Sequence, residues 1–198
     1  GKTIYVDPWS KMADYSKLPK ADLVLVTHHH RDHLDSAALK IVMTDRAIVI
    51  MTKKCAELAG ETVKSPVIMA NGDVKEVAGL KIEAVPAYNL VHMRSQGTPY
   101  HPKGIGNGYV ISFGDKRLYV AGDTENIPEM KALKDIDVAF LPMNLPYTMD
   151  SAMAADAAKA FKPKILYPYH TKFSTEEQVP GFLKLMKGVQ GIEIRASK

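Results

Sequence analysis

The sequence predicts a mixed α/β fold, and two observations carry that reading. Short runs rich in Val, Ile and Leu alternate with helical patterns along the 198 residues, with strands concentrated in the middle. The composition, 46% hydrophobic and 24% charged, is that of an ordinary globular chain and excludes disordered, collagen-like and disulfide-scaffold classes. The length fits one domain spanning 1–198, ample for a sizeable core.

Taken in order, the first strand is Thr3–Val6, closed by Asp7-Pro8, and the second is Leu23–Thr27, an unbroken apolar "LVLVT". A helix follows over Asp35–Val42, then strand Ala47–Met51 and helix Lys53–Ala59. Three short β-type runs come next, Val67–Ala70, Val74–Val77 and Leu80–Val85, with Asn, Gly and Asp at their joins. Strands Gly108–Phe113 and Arg117–Ala121 precede a helix over Ile127–Leu133 and a strand at Val138–Leu141. "SAMAADAAKAF" predicts a helix over Ser151–Phe161, because alanine has the lowest intrinsic helical cost. Strand Ile165–Tyr169, a helix over Thr175–Lys187 opened by the capping box Ser174 and Glu177, and strand Ile192–Arg195 complete the chain. Between Pro86 and Gly108 lies a stretch too long for a hairpin turn, and loops beyond about 12–15 residues in a compact domain are commonly functional.

The net charge of +4 comes from scattered lysines, so no dense basic block marks a nucleic-acid footprint. No apolar run reaches the roughly 18–20 residues that cross a bilayer, and no signal-peptide core is present, which favours the cytoplasm. A cleaved segment ahead of Gly1 is the alternative. Cys55 is the sole cysteine; it offers no disulfide and no paired-thiolate metal site, and reads as a small buried hydrophobe on a helix.

Chemistry concentrates in "VTHHHRDHLD", which places four of the seven histidines within six residues. Neutral imidazole with carboxylate is the usual ligand set for a borderline divalent metal, zinc being the default where thiolates are absent. The pattern is His28-x-His30-x-Asp32-His33, starting where an apolar strand runs out. Residues two apart on extended chain share a side, so His28 and His30 can converge on one ion while Asp32 and His33 follow a bend toward a second. His29 and Arg31 are spacers. Asp7 reads equally as a strand-ending turn former or as a carboxylate orienting a ligand histidine. Gly104, Gly106 and Gly108 precede a strand instead of opening a helix, so they signal backbone freedom and not a dinucleotide site.

With these residues the sequence resembles the metallo-β-lactamase superfamily of hydrolases, whose H-x-H-x-D-H hallmark reads here as His28, His30, Asp32 and His33. Later landmarks come in order: His101 in "PYHPKGIGNGYVI", Asp123 in "RLYVAGDTENIPEM" and His170 in "KILYPYH". The "DPW", "AGDT" and "YTM" segments look like those of single-domain metal-dependent hydrolases of the L-ascorbate-6-phosphate lactonase-like branch. The resemblance implies a four-layer αββα sandwich, lacking the Gly-His strands that precede "DPW" in relatives. It implies that His28, His30 and His101 bind one metal, that Asp32, His33 and His170 bind another, and that Asp123 bridges them. His92 competes with His101 for the third position; His101 matches the family pattern by directly preceding the glycine-rich run. "LPMNLPYTM" departs from the pattern, with Asn144, Leu145 and Pro146 where relatives carry glycine-rich or acidic residues.

The resemblance thus implies a hydrolase. Two divalent ions, zinc first with manganese, iron or nickel also compatible, would share a hydroxide that Asp32 orients toward an ester, lactone or phosphodiester. Lys103 and Lys172 each stand two residues after an expected ligand and point to a small anionic substrate. Oligomeric state is not legible, and neither a membrane nor a nucleic acid is expected as partner. The rival readings are a metal-dependent binding protein that keeps the fold without catalysis, and a nuclease.

Overall fold

The computed structural model describes residues 1–171 and 178–195. The chain divides into two compact units, the first comprising Gly1–Ala70 with Glu76–Gly79 and the second the remainder.

The first unit is built on a four-stranded sheet of order β1-β2-β3-β4, from β1 (Ile4–Val6), β2 (Leu23–Leu25), β3 (Ile48–Met51) and β4 (Val67–Ile68). Every pairing is parallel. Parallel strands need crossovers, and helices α1 (Ser36–Val42) and α2 (Lys53–Ala59) supply them between β2, β3 and β4. Both helices are capped by side chains, Asp35 accepting from the N–H of Ala37 and Ala38, and Thr52 from that of Cys55. Asp35 is therefore the cap and not the first helical residue. The core of this unit joins Val24, Val26, Leu39, Val42, Val49, Met51 and Cys55. Burial pushes the Cys55 thiol up, against the opposing Thr52 hydroxyl, which fits a packing role.

The second unit carries a sheet of order β13-β12-β11-β10-β9-β6-β5, formed by β5 (Val74–Val77), β6 (Leu80–Ala87), β9 (Gly106–Phe113), β10 (Lys116–Val120), β11 (Val138–Pro142), β12 (Ile165–Tyr169) and β13 (Glu193–Ile194). A separate small hairpin pairs β7 (Met93–Ser95) with β8 (Thr98–Pro99). Strand β9 is antiparallel to β6 and β10, whereas β10, β11 and β12 run parallel. That pattern brings the carboxyl ends of β6, β10, β11 and β12 and the amino end of β9 to one edge. Helix α4 (Ser151–Phe161) lays Ala154, Ala155, Ala157, Ala158 and Phe161 into the core, with Phe161 edge-on to the buried Tyr119 ring at 6.1 Å. Helices α3 (Pro128–Lys131) and α5 (Gln178–Met186) add Met130, Phe182 and Met186.

Two expectations change here. The stretch from Pro86 to Gly108 is not one loop: β6 continues through Pro86 to Ala87, β9 starts at Gly106, and the β7–β8 hairpin lies between them, turning at Gln96-Gly97 with Gly97 at φ +73°. Its strands, Met93-Arg94-Ser95 and Thr98-Pro99, are short and mostly exposed, so no apolar alternation announces them. The helix expected at Ile127–Leu133 shrinks to Pro128–Lys131, with Pro128 as its first residue. Ser174 and Glu177, the expected capping box, lie outside the described residues.

Gly108 is a steric requirement. A Cβ there would sit 2.7 Å from the Ala121 carbonyl oxygen and 2.9 Å from that of Val120, both rigid backbone. Gly108→Ala is expected to cost about 1–3 kcal/mol through overpacking, read as a lowered denaturant midpoint at unchanged m-value.

Candidate metal centre

In the first unit the histidine run begins three residues beyond β2. Asp7, in the left-handed region at φ +48°, accepts through Oδ1 from the Thr27 N–H at 2.8 Å and through Oδ2 from the Thr27 hydroxyl at 2.6 Å. The same Oδ2 lies 2.7 Å from His33 Nδ1, which must donate to it. The Thr27 hydroxyl hydrogen is thus spent on Asp7, so its oxygen accepts from His28 Nδ1 at 3.1 Å. Both rings are thereby held with Nε2 as the lone-pair nitrogen. His33 Nε2 faces Asp32 Oδ2 at 3.5 Å, and His28 Nε2 stands 3.0 Å from His30 Nδ1. Neighbouring ligands on a tetrahedral zinc, with Zn–N about 2.0–2.1 Å, are separated by roughly 3.3 Å, so this pair fits one ion. The bend that places Asp32 and His33 is closed by the N–H of His33 and of Leu34 donating to the His30 carbonyl, just before the α1 cap. His28 and His33 are buried, Asp32 half-buried; His29 has its ring centroid 6.4 Å from that of His28. Asp7 is therefore an orienting carboxylate as well as a turn former.

In the second unit His101, Asp123 and His170 come from three segments of one sheet edge. Asp123 follows β10 and His170, at φ +54°, follows β12 directly, while His101 precedes β9. One carboxylate reaches toward both rings: Asp123 Oδ2 is 3.3 Å from His101 Nε2, and Oδ1 is 3.7 Å from His170 Nε2. His101 is oriented by Asn89, whose Oδ1 accepts from the His101 N–H at 2.9 Å and from Nδ1 at 2.7 Å. The Asn89 amide cannot be turned, because its NH₂ donates to Glu125 Oε1 at 3.0 Å and to the Tyr147 carbonyl at 2.9 Å. His101 Nδ1 therefore carries a proton, and neutral His101 would turn its Nε2 lone pair on a carboxylate. A proton or a metal ion between Nε2 and the carboxylate answers that apposition, and the donor set suits a divalent metal.

Glu125 is the fully buried hub of this half. Its Oε2 accepts from the N–H of Leu90 at 2.6 Å and of Val91 at 2.7 Å. Its Oε1 takes the N–H of His92 at 2.8 Å and His92 Nδ1 at 2.7 Å. Burial alone would raise this carboxyl, but the Asn89 amide and the N–H groups of His92, Val91 and Leu90 more than offset it and hold the group below the usual range. His92, the alternative to His101, is thus engaged by Glu125. Asn144 Nδ2 lies 3.1 Å from His170 Nδ1. Lys103 is bound to Glu129 at 2.8 Å and lies over the Tyr88 ring at 4.7 Å, so its charge is already answered; Lys172 falls outside the described residues. Asn89, Glu125 and Asn144 escape sequence reasoning as site residues, since polar loop residues near Gly and Pro ordinarily read as turn formers.

A parallel sheet and a mixed sheet that deliver imidazoles and carboxylates at their strand ends are the architecture of a metallohydrolase of the metallo-β-lactamase fold. The sequence profile described as "Beta-lactamase superfamily domain" matches residues 1–170, and the chain belongs to that superfamily, among its UPF0173 metal-dependent hydrolases. A UPF0173 metal-dependent hydrolase of Thermoplasma acidophilum is 32% identical over 96% of this chain and 85% of its own length. Another, from Nanoarchaeum equitans, is 34% identical over 84% of this chain and 75% of its own. Among solved structures, a Parabacteroides distasonis protein provisionally described as a metal-dependent hydrolase superposes with a TM-score of 0.88 at 45% identity, covering 98% of this chain and 83% of that one. A metallo hydrolase from Ignicoccus hospitalis, at 24% identity and a TM-score of 0.76 over 98% of this chain and 86% of that one, shares the fold. Among the described residues, no helix is long and apolar enough to cross a membrane.

Proposed function

We propose that this metal-dependent hydrolase holds two divalent ions, with zinc preferred. As the superfamily resemblance implies, His28, His30 and His101 would bind one ion, Asp32, His33 and His170 the other, and Asp123 would be shared. The observation that carries the reading is the fixed polarity of the rings: His33 and His101 spend Nδ1 on Asp7 and Asn89 and turn Nε2 toward Asp32 and Asp123. The disposition of the two Asp123 oxygens, one toward each of His101 and His170, supports the shared role.

Ions in such a set supply Lewis acidity toward the scissile group and a water of lowered pKa. The protein's part is orientation. Asp32 accepts a hydrogen of the attacking water through a carboxylate oxygen and aims it at an ester, lactone or phosphodiester centre. Asp7, Thr27 and Asn89 keep the rings from rotating or exchanging tautomers. Asp32 and Asp123 do not neutralise two divalent ions, so the ligand set itself is net positive, only partly offset by Asp7 behind His33, and favours a small anionic substrate. This argument for an anion does not depend on Lys103, which Glu129 occupies.

The test combines metal content with turnover. Protein loaded after growth without added metal is expected to bind about two ions per chain and to hydrolyse members of an ester, lactone and phosphodiester panel. A chelator should abolish turnover and re-addition of zinc or manganese restore it. Chelator-insensitive hydrolysis, or less than one ion per chain, would refute the proposal.

A further inference from the structure

We infer that Asn144 is a positioning residue for His170: its side-chain oxygen accepts the Nδ1 hydrogen, leaving the Nε2 lone pair for a metal ion. The inference rests on the reading of His170 as a ligand. Strands β11 and β12 run parallel with Pro142 opposite Tyr169, and the Met143 N–H donates to the Tyr169 carbonyl at 3.1 Å. The next residues along each chain segment, Asn144 and His170, are therefore delivered side by side. Asn144 is held by its own backbone, its N–H donating to Thr148 Oγ1 at 2.8 Å and its carbonyl accepting from Tyr147 and Thr148. Its side chain is buried within 3.1 Å of His170 Nδ1.

As placed, the amide nitrogen faces the ring while the buried Oδ1 has no hydrogen-bond partner among the described residues. Oxygen and nitrogen of an amide are assigned from the surrounding network, and a half-turn of the amide exchanges them at the same distance. Chemistry chooses between the two. A donating amide would make Nδ1 the acceptor and place the proton on Nε2, which cannot ligate while it carries one. An accepting amide repeats what this protein builds elsewhere. His101 Nδ1 is held by the side-chain oxygen of Asn89 at 2.7 Å, and His33 Nδ1 by that of Asp7 at 2.7 Å. Asn144 would repeat the same device on the His170 ring.

Asn144→Asp presents oxygen in either orientation, whereas Asn144→Leu keeps the volume and presents none. Zinc affinity of the full-length, metal-stripped chain, measured by competition with a chromogenic chelator, should be retained in Asn144→Asp and fall about 10–100-fold in Asn144→Leu. Nitrogen NMR of zinc-loaded wild type, with His170 assigned by difference from His170→Ala, should show the ring protonated at Nδ1. Finding His170 protonated at Nε2, or equal losses in the Asp and Leu variants, would overturn the inference. Loss of a zinc ion in His170→Ala without any loss in Asn144→Leu would reject Asn144 alone. Unchanged zinc binding in His170→Ala would reject the ligand assignment itself.

Discussion

Asp123→Ala is expected to lower kcat/KM by on the order of 10³-fold or more on whichever substrate the wild type turns over, and to reduce bound metal from about two ions to one or none. The size of the effect comes from position. Asp123 is buried, with one oxygen 3.3 Å from His101 Nε2 and the other 3.7 Å from His170 Nε2. Its removal takes one negative charge and two donor atoms from between two rings. Asp123→Asn separates the contributions, because the amide keeps one oxygen and loses the charge; it should retain part of the metal and little of the rate. Elemental analysis beside single-substrate kinetics reads both quantities. Wild-type metal content and rate in Asp123→Ala would remove the shared carboxylate from the proposal.

The two groups of proposed ligands differ in how openly the sequence announces them. His28, His30, Asp32 and His33 cluster at the end of one apolar strand, so alternation alone places His28 and His30 together, and the observed 3.0 Å between their nitrogens has a local cause. His101, Asp123 and His170 are scattered over 70 positions, and only the family resemblance singles them out. Their proximity is created by register, since β10 and β12 run parallel, β9 runs opposite, and all three present the relevant ends at one edge. The strands themselves are legible from β-branched runs, with errors at ends where Pro86 or Gly106 argues for a loop that the ladder overrides. Asn89, Glu125 and Asn144 are not legible as site residues. Each is a polar residue next to a turn in sequence, and it acquires a role only when tertiary packing buries it against a histidine or against bare N–H groups.

Glu125→Ala should destabilise the second unit strongly, by about 3–5 kcal/mol, because it removes a fully buried carboxylate that several donors share. Three consecutive N–H groups, the Asn89 amide and His92 Nδ1 all converge on this carboxylate. The damage should also reach the metal: with its NH₂ no longer held by Glu125, Asn89 can turn, and the His101 tautomer loses its restraint. Metal affinity is therefore expected to drop about 10–100-fold even where the variant remains folded. Acidity supplies an independent check. Since the folded carboxyl is held below its ordinary 4.5, the unfolded chain binds the proton more readily, so this contribution is complete above that value and is lost as pH falls through the depressed folded value. Urea midpoints of wild type and Glu125→Gln should accordingly differ by a constant amount at neutral pH and converge in acid below about 4.5. A difference that persists undiminished in acid would mean that the Glu125 charge contributes nothing, and that shape alone holds the Asn89 loop.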